Sequence, residues 1–293
     1  MNAIIAAATG YSDTDLQPFL SSVDRSCTDT KVFLIVFKRD YARIERLRGK
    51  YPFVEPVYVG RKPTRWAIVY RGAARLIARH FITKDYPDCS PLWGSVGRYS
   101  LHIALERYFI ALELVRAHRS SLQNVLLTDS RDVVLQGDPF SAITDSLVSG
   151  LEEATIGCCS VNSSWLKHVY GPAVHARMSK CRIICSGVTI GPVQEMEQYL
   201  AAMCREIWKC LPRVAASPFF DQSIHNYLIY NGTIRPTLTE NRTGIIATLF
   251  YEKPGNIKTD AEAGVVTVRG KPPAIVHQYD RHANVVLFVK QRA

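Results

Sequence analysis

The order of apolar and polar positions near the start of the chain switches between two periods. Asn2 to Ala8 is a continuous apolar run after its first residue, and Lys31 to Phe37 reads KVFLIVF, the β-branched and aromatic content of a buried strand. Between them, Leu16, Phe19, Leu20 and Val23 recur at helical spacing, so Asp15 to Val23 reads as a helix. A basic helix follows over Tyr41–Lys50, then a strand over Val54–Val59. Strand, helix, strand, helix, strand in one short stretch implies a parallel sheet with helices on its faces. The fold class expected is α/β, a single domain over 1–293 with a Rossmann-like, mostly parallel sheet.

Further along, Trp66–Thr83 carries apolar residues at 3–4 spacing, with Arg71, Arg75 and Arg79 as a basic stripe. Such a helix either lies on an anionic membrane surface or packs on the core with a solvated face. Tyr86–Gly97, rich in Pro, Gly and Ser, reads as a loop, and Leu101–Ala117 as a long helix. Asn124–Thr128 is a central strand. A helix is expected around Ser141–Val148, then strands at Ala154–Cys158 and Arg182–Ile190. Pro192 opens a helix over Val193–Leu211, and Asp221 is placed to cap a short helix reaching Tyr230.

Composition narrows the class. Hydrophobic residues make up 47% of the 293, enough for a sizeable core. No run approaches the roughly 18 apolar residues a membrane span needs. The apolar start lacks a basic flank and a cleavage site, so it reads as a strand rather than a signal peptide, and the chain as cytoplasmic. The eight cysteines form no zinc-type spacing and read as buried free thiols. The three sequons, at Asn162, Asn231 and Asn241, then read as chance matches.

The net charge of +10 is localised: residues 31–50 hold seven basic against two acidic residues, and 61–80 six against none. A basic surface of this kind suits an anionic partner, such as a membrane to which the protein is peripherally bound. No zinc finger, RNA-recognition motif or helix-turn-helix accompanies it, so no specific nucleic-acid partner is expected.

The richest chemistry lies in NVLLTDSRDVVLQGDPF, Asn124 to Phe140. A buried strand runs directly into Asp129 and Asp132, and ligands of open α/β sheets bind beyond the carboxyl ends of strands. A three-residue offset points the two carboxylates apart in a regular strand, so they converge only if the chain turns at Ser130-Arg131. Converged, they suit Mn²⁺ or Mg²⁺ bridging to substrate phosphates. The plainer alternative has Asp129 capping a turn and Asp132 paired with an arginine.

This segment resembles the metal-binding strand end of GT-A glycosyltransferases. The chain is similar, more narrowly, to a group of nucleotide-diphospho-sugar transferases with a TDxRDVVFQxDPF-like run, a later SG, a DQxxHN and a terminal HQYDRH. Here these are Thr128–Asp132, Ser186-Gly187, Asp221–Asn226 and His277–His282, in order. A more distant similarity is to glycogenin-like retaining transferases, in which an arginine precedes the metal motif and a late histidine is the third ligand. Arg107, Ser186-Gly187, Asp221-Gln222 and His277 stand in that order, with Cys185 where those enzymes carry the asparagine of Asn-Ser-Gly.

The resemblance implies a metal-dependent, retaining transferase that moves a sugar from a nucleotide-sugar donor, UDP-linked by prior, to a glycan or other hydroxyl acceptor. Asp129, Asp132 and His277 would hold the metal, which of the two carboxylates directly being open. Asp221, Gln222 and Arg107 would serve the chemistry, Asp221 doubling as a helix cap. Arg107 alternatively pairs with Glu106 or Glu113. Thr9, Gly10, Tyr11, Ser186, Gly187 and Arg281 would contact the donor, Tyr11 by stacking on the base unless it is simply core. Two other classes compete: a sugar nucleotidyltransferase, disfavoured because the Thr9-Gly10-Tyr11 loop has one glycine and no nearby base, and a non-enzymatic basic binder.

Overall fold

The computed structural model describes residues 1–59, 101–143, 145–214, 220–242 and 244–293, with the isolated positions 73, 76 and 98. Apart from positions 73 and 76, the expected helix over Trp66–Thr83, its arginine stripe and the loop Tyr86–Gly97 fall outside these residues.

The first half alternates as its periodicity predicts. Strand β1 (Asn2–Ala7) leads to α1 (Asp13–Ser26), β2 (Thr30–Phe37), α2 (Tyr41–Lys50) and β3 (Val54–Val59). Ser12 starts α1 with a capping box: its hydroxyl accepts from the Asp15 N–H at 3.2 Å, and Asp15 accepts from the Ser12 N–H at 2.8 Å. After the next described stretch come α3 (Ile103–Ala117), β4 (Asn124–Asp129), β5 (Val133–Leu135) and β6 (Val148–Thr155). Then follow α4 (Ser160–Tyr170), α5 (Pro172–Met178), β7 (Arg182–Pro192), α6 (Val193–Lys209), α7 (Leu211–Val214) and α8 (Asp221–Tyr230). The rest comprises β8 (Thr237–Thr239), β9 (Ile246–Thr248), β10 (Ile257–Asp260), β11 (Val265–Val268), β12 (Ile275–His277) and α9 (Ala283–Gln291).

Seven strands form one sheet in the order β3-β2-β1-β4-β7-β6-β8. Every neighbouring pair is parallel except those involving β7, which runs antiparallel to both β4 and β6. This is an α/β domain with a mixed, largely parallel sheet flanked by helices. Strand alternation splits the core in two. Ala3, Ile5, Phe33, Ile35, Val125 and Leu127 pack against α3 and α6, whereas Ile4, Ala6, Val32, Leu34, Val36 and Leu126 pack against α1 and α2. Helix α3 is buried along most of its length, Leu105 to Leu112 included, with Glu106 and Arg107 buried among its apolar residues.

A small second sheet, β5-β12-β9, stands beside the end of β4. Its β5–β12 ladder is antiparallel and places His277 opposite Val133, one residue beyond Asp132. The β10–β11 hairpin packs with α9 around Val266, Val268, Val285 and Val289.

Three expected elements differ. The helix around Ser141–Val148 does not form. The Asp138 carboxylate accepts from the Phe140 N–H and the Ser141 hydroxyl donates to the Asp138 carbonyl, holding a turn. From Val148 the chain is β6, recruited between β7 and β8 by tertiary pairing that outweighs local propensity. The strand expected at Ala154–Cys158 is the end of β6 followed by a 3₁₀ turn, Ile156–Cys158. Asp221 is the first residue of α8 rather than its cap, a position held by Phe220.

The seven described cysteines are free, with Cys159, Cys185, Cys204 and Cys210 buried and Cys158 exposed against expectation. The sequon asparagines Asn162 and Asn241 are buried and hydrogen-bonded. No helix among the described residues is long and apolar enough to cross a membrane.

Candidate metal centre

The chain order around β1 creates the site. From β1 the connection runs to β2 on one side, while β4 joins β1 on the other, so a crevice opens at the carboxyl ends of β1 and β4. Ala7 and Asp129 are register partners at that edge. Beyond Asp129 the chain bends at 130–132, anchored by the Ser130 hydroxyl donating to the Ala7 carbonyl at 2.8 Å. It then enters β5, and the Gln278 N–H donates to the Asp132 carbonyl at 2.8 Å. The bend supplies the turn that the Asp129/Asp132 spacing required, and β12 delivers His277 beside it.

One ligand atom from each of Asp129, Asp132 and His277 lies within 4.8 Å of the others. The His277 Nε2 is 3.6 Å from the Asp129 Oδ2 and 3.9 Å from the Asp132 Oδ2. His277 is 1% exposed, and its Nε2 has no hydrogen-bond partner. A buried imidazole nitrogen left without a partner and aimed at two carboxylate oxygens fits a hard divalent cation with one nitrogen and two oxygen ligands. Gly187 permits the approach: a Cβ there would stand 2.7 Å from both the Asp129 Oδ2 and the His277 Nε2. Immediately after His277, Gln278 adopts a left-handed conformation, φ 58°, a strained backbone position of the kind that collects at functional sites.

Arg107, from α3, bridges two carboxylates. Its guanidinium pairs with Asp129 through one nitrogen and with Asp221 through the other at 3.1 Å. It does not pair with Glu113, whose partner is Arg98. Asp221 also accepts from the Tyr108 hydroxyl at 3.4 Å and the Ser186 hydroxyl at 3.5 Å. Gln222 accepts from the Ser186 N–H at 3.5 Å and donates to the Asn162 side chain at 2.9 Å. Along β7, Ser186 therefore meets α8 while Cys185 and Gly187, on the opposite face, meet His277.

The protonation tendencies follow from these neighbours. Burial opposes the charge on Asp129, but Arg107 and His277 overcome it and hold the carboxyl well below its usual range. Burial raises Asp132 against the opposing charge of His277, with the charges of Asp129 and Asp280 adding to the rise. Asp221 is raised by burial, against Arg107. Burial works against a charged His277, yet Cys185, Asp129 and Asp132 raise it well above the ordinary imidazole value. Tyr11 is raised by burial and by the two carboxylates.

These groups line one cleft of about 420 Å³. Thr9, Tyr11, Arg107, Asp129, Asp132, Ser186, Gly187, Asp221, Gln222, His277 and Arg281 all reach it. Gly10 is not part of the wall; its φ of 79° turns the chain between Thr9 and Tyr11. Arg281 is half exposed, 5.2 Å over the Phe250 ring and paired with Asp280. The structure adds residues that sequence reasoning missed: His102, which caps α3, Trp165 on α4, and the buried Glu152 behind Cys185. No local signal marks them, since a strand glutamate and a helix tryptophan are ordinary until the tertiary fold sets the one behind Cys185 and the other in the cleft wall.

The sequence matches no known protein-family model, and no characterised protein aligns with it significantly.

Proposed function

We propose that the protein is a metal-dependent glycosyltransferase of the GT-A type, using a nucleotide-diphosphate sugar and transferring with retention. One observation carries the reading: Asp129, Asp132 and His277 converge at the carboxyl ends of β1 and β4, with a buried, unpartnered imidazole nitrogen facing two carboxylates. Such a crevice is where α/β sheets bind nucleotides, and two carboxylates with an imidazole suit Mn²⁺ or Mg²⁺.

A bound divalent cation would act as a Lewis acid towards the charge that builds on a leaving diphosphate. The protein's own residues divide the remaining work. Arg281 and Arg131 line the cleft and offer positive charge to phosphate oxygens. Tyr11 and Thr9, beyond β1, offer a ring face and a hydroxyl for a base and ribose. Arg107 holds Asp129 ionised and Asp221 in place at once. Asp221 and Gln222 present oxygens to the developing positive charge of an oxocarbenium-like sugar.

Retention is supported by the engagement of the carboxylates. Among the described lining residues, Asp129 and Asp221 are tied to Arg107, Asp280 to Arg131 and Arg281, and Asp132 faces His277, which leaves none placed as a solitary base for an inverting attack. The acceptor is a hydroxyl compound, and the basic α2 region fits an enzyme that works beside an anionic membrane.

Calorimetric titration of UDP, GDP and CDP, with and without Mn²⁺, tests the reading on wild type and Asp132→Ala. Metal-dependent binding of one nucleotide, lost in the variant, is expected. Absence of nucleotide binding in every condition would sink the transferase and leave a basic binder.

A further inference from the structure

The segment 277–282 holds one surface turn from both of its ends. Strand β9 leads through Leu249 into a turn with Phe250 and Tyr251 at its centre, closed by the Glu252 N–H donating to the Leu249 carbonyl at 3.0 Å. That carbonyl also accepts from the His282 Nε2–H at 2.8 Å. At the other end of the segment, the His277 carbonyl accepts from the Leu249 N–H at 3.0 Å. Glu252 is buried and accepts from the Asn241 side chain at 2.8 Å, which fixes the exit of the turn. The place of the turn relative to His277 is thus set by hydrogen bonds on three sides.

Phe250 is 44% exposed. A single exposed apolar side chain needs no explanation by itself. This one is braced and it carries a charge. Tyr251 meets it edge to face at 4.7 Å, and Tyr251 in turn packs on the buried cluster of Ile156, Cys159 and Leu166. The Arg281 guanidinium lies 5.2 Å from the Phe250 ring centroid, within the range of a cation–π contact. The Arg281 Nε is 3.4 Å from the Asp280 Oδ1, and no hydrogen bond to its Nη groups occurs among the described residues. Arg281 lines the same cleft as Asp129, Asp132 and His277. A planar guanidinium suits phosphate oxygens bidentately, and one already stacked on a ring loses less freedom when it grips them.

We propose that Phe250 is a positioning residue for diphosphate recognition: its ring holds the Arg281 guanidinium at the cleft, ready to take the diphosphate of a donor. The proposal rests on the reading of the cleft as a site for a nucleotide-diphosphate sugar. It gives His282 a task, since its bond to Leu249 keeps the turn, and with it the ring, against Arg281. It also explains why an aromatic side chain stands in solvent beside a half-exposed arginine: a ring face supports the cation, which an aliphatic side chain of similar size does not.

The test is calorimetric titration of the full chain with inorganic pyrophosphate in the presence of Mg²⁺. It compares wild type with Phe250→Ala, Phe250→Leu, Phe250→Trp, Arg281→Ala and the double variant of Phe250→Ala with Arg281→Ala. Phe250→Ala and Phe250→Leu should each weaken binding about 2–5-fold, the factor that a cation–π contact at an exposed site supplies. Phe250→Trp, which offers the best ring face for a cation, should bind at least as tightly as wild type. In the Arg281→Ala background, Phe250→Ala should cost nothing further, a coupling that a ring serving only the packing of the turn does not show. Equal affinity in wild type and Phe250→Ala would overturn the positioning role while leaving the diphosphate site standing. Wild-type affinity in Phe250→Leu, or an undiminished Phe250→Ala loss when Arg281 is already absent, would do the same. Wild type that binds no pyrophosphate would overturn both the positioning role and the diphosphate reading of the cleft.

Discussion

Gly187 sits against the imidazole of His277 so closely that a Cβ on it would lie 2.7 Å from the Nε2. The same Cβ would lie 2.7 Å from the Asp129 Oδ2. The position is restricted by space and not by backbone conformation, because its φ is not left-handed. Gly187→Ala should therefore fold, at a cost of about 1–3 kcal/mol typical of overpacking. The displaced ring should cost the protein its thermal stabilisation by Mn²⁺. Melting curves with and without Mn²⁺ check this; an undiminished metal-dependent shift would show that the glycine is incidental.

Arg107 is 7% exposed on its side chain and answers two carboxylates. Arg107→Met leaves Asp221 without its charged partner and Asp129 with His277 alone. Breaking a buried pair costs about 3–5 kcal/mol, and the lower end applies here because 36% of the Asp129 side chain is open to the cleft. Adding Asp221→Asn should return part of the loss by removing one stranded charge. Urea unfolding of the single and double variants measures both, and a double variant no more stable than the single would contradict the account.

The pH dependence has a definite sign. His277 is raised above its ordinary value of 6.5 in the folded protein. Its contribution to the stability of the metal-free protein is thus complete below pH 6.5 and is lost as pH rises through the folded value. Metal binding runs the other way, since a cation displaces the proton from Nε2 and the raised Asp132 must ionise. Mn²⁺ affinity should climb with pH, and His277→Gln should flatten most of that climb. Affinity independent of pH in wild type would place the metal elsewhere.

The basic surface of α2 and of the turn that precedes it, Lys38–Asp40, offers a separate check. Lys38, Arg39, Arg46, Arg48 and Lys50 are exposed. Vesicles containing phosphatidylserine should bind the protein at low salt and release it as salt rises. Charge reversal by Arg39→Glu, Arg46→Glu and Lys50→Glu should weaken that binding. Binding that survives both salt and charge reversal would remove the α2 surface from consideration.

Much of the fold was legible along the chain because its information is local. The apolar run of β1, KVFLIVF of β2 and the helical spacing of Leu16, Phe19, Leu20 and Val23 each need only their own residues to declare an element. The carboxylates at the end of β4 were equally visible, since a buried strand running into Asp129 and Asp132 is a pattern within nine residues of sequence, Asn124 to Asp132. The segment from Ser141 to Cys158 was misread because its state is decided by partners: β6 exists through β7 and β8, which lie far along the chain.

The same division holds for the site. The sequence by itself determined the types of residue present, two acids, a late histidine and an arginine on a helix, and the turn that the acids would need. Only the tertiary structure decided that β12 pairs with β5 and so sets His277 beside Asp132, that Arg107 joins Asp129 to Asp221, and that Glu152 stands behind Cys185. Those relationships span separations from 22 residues, between Arg107 and Asp129, to more than a hundred. No local propensity encodes them, because their energy comes from burial and charge pairing that exist only once the sheet has assembled.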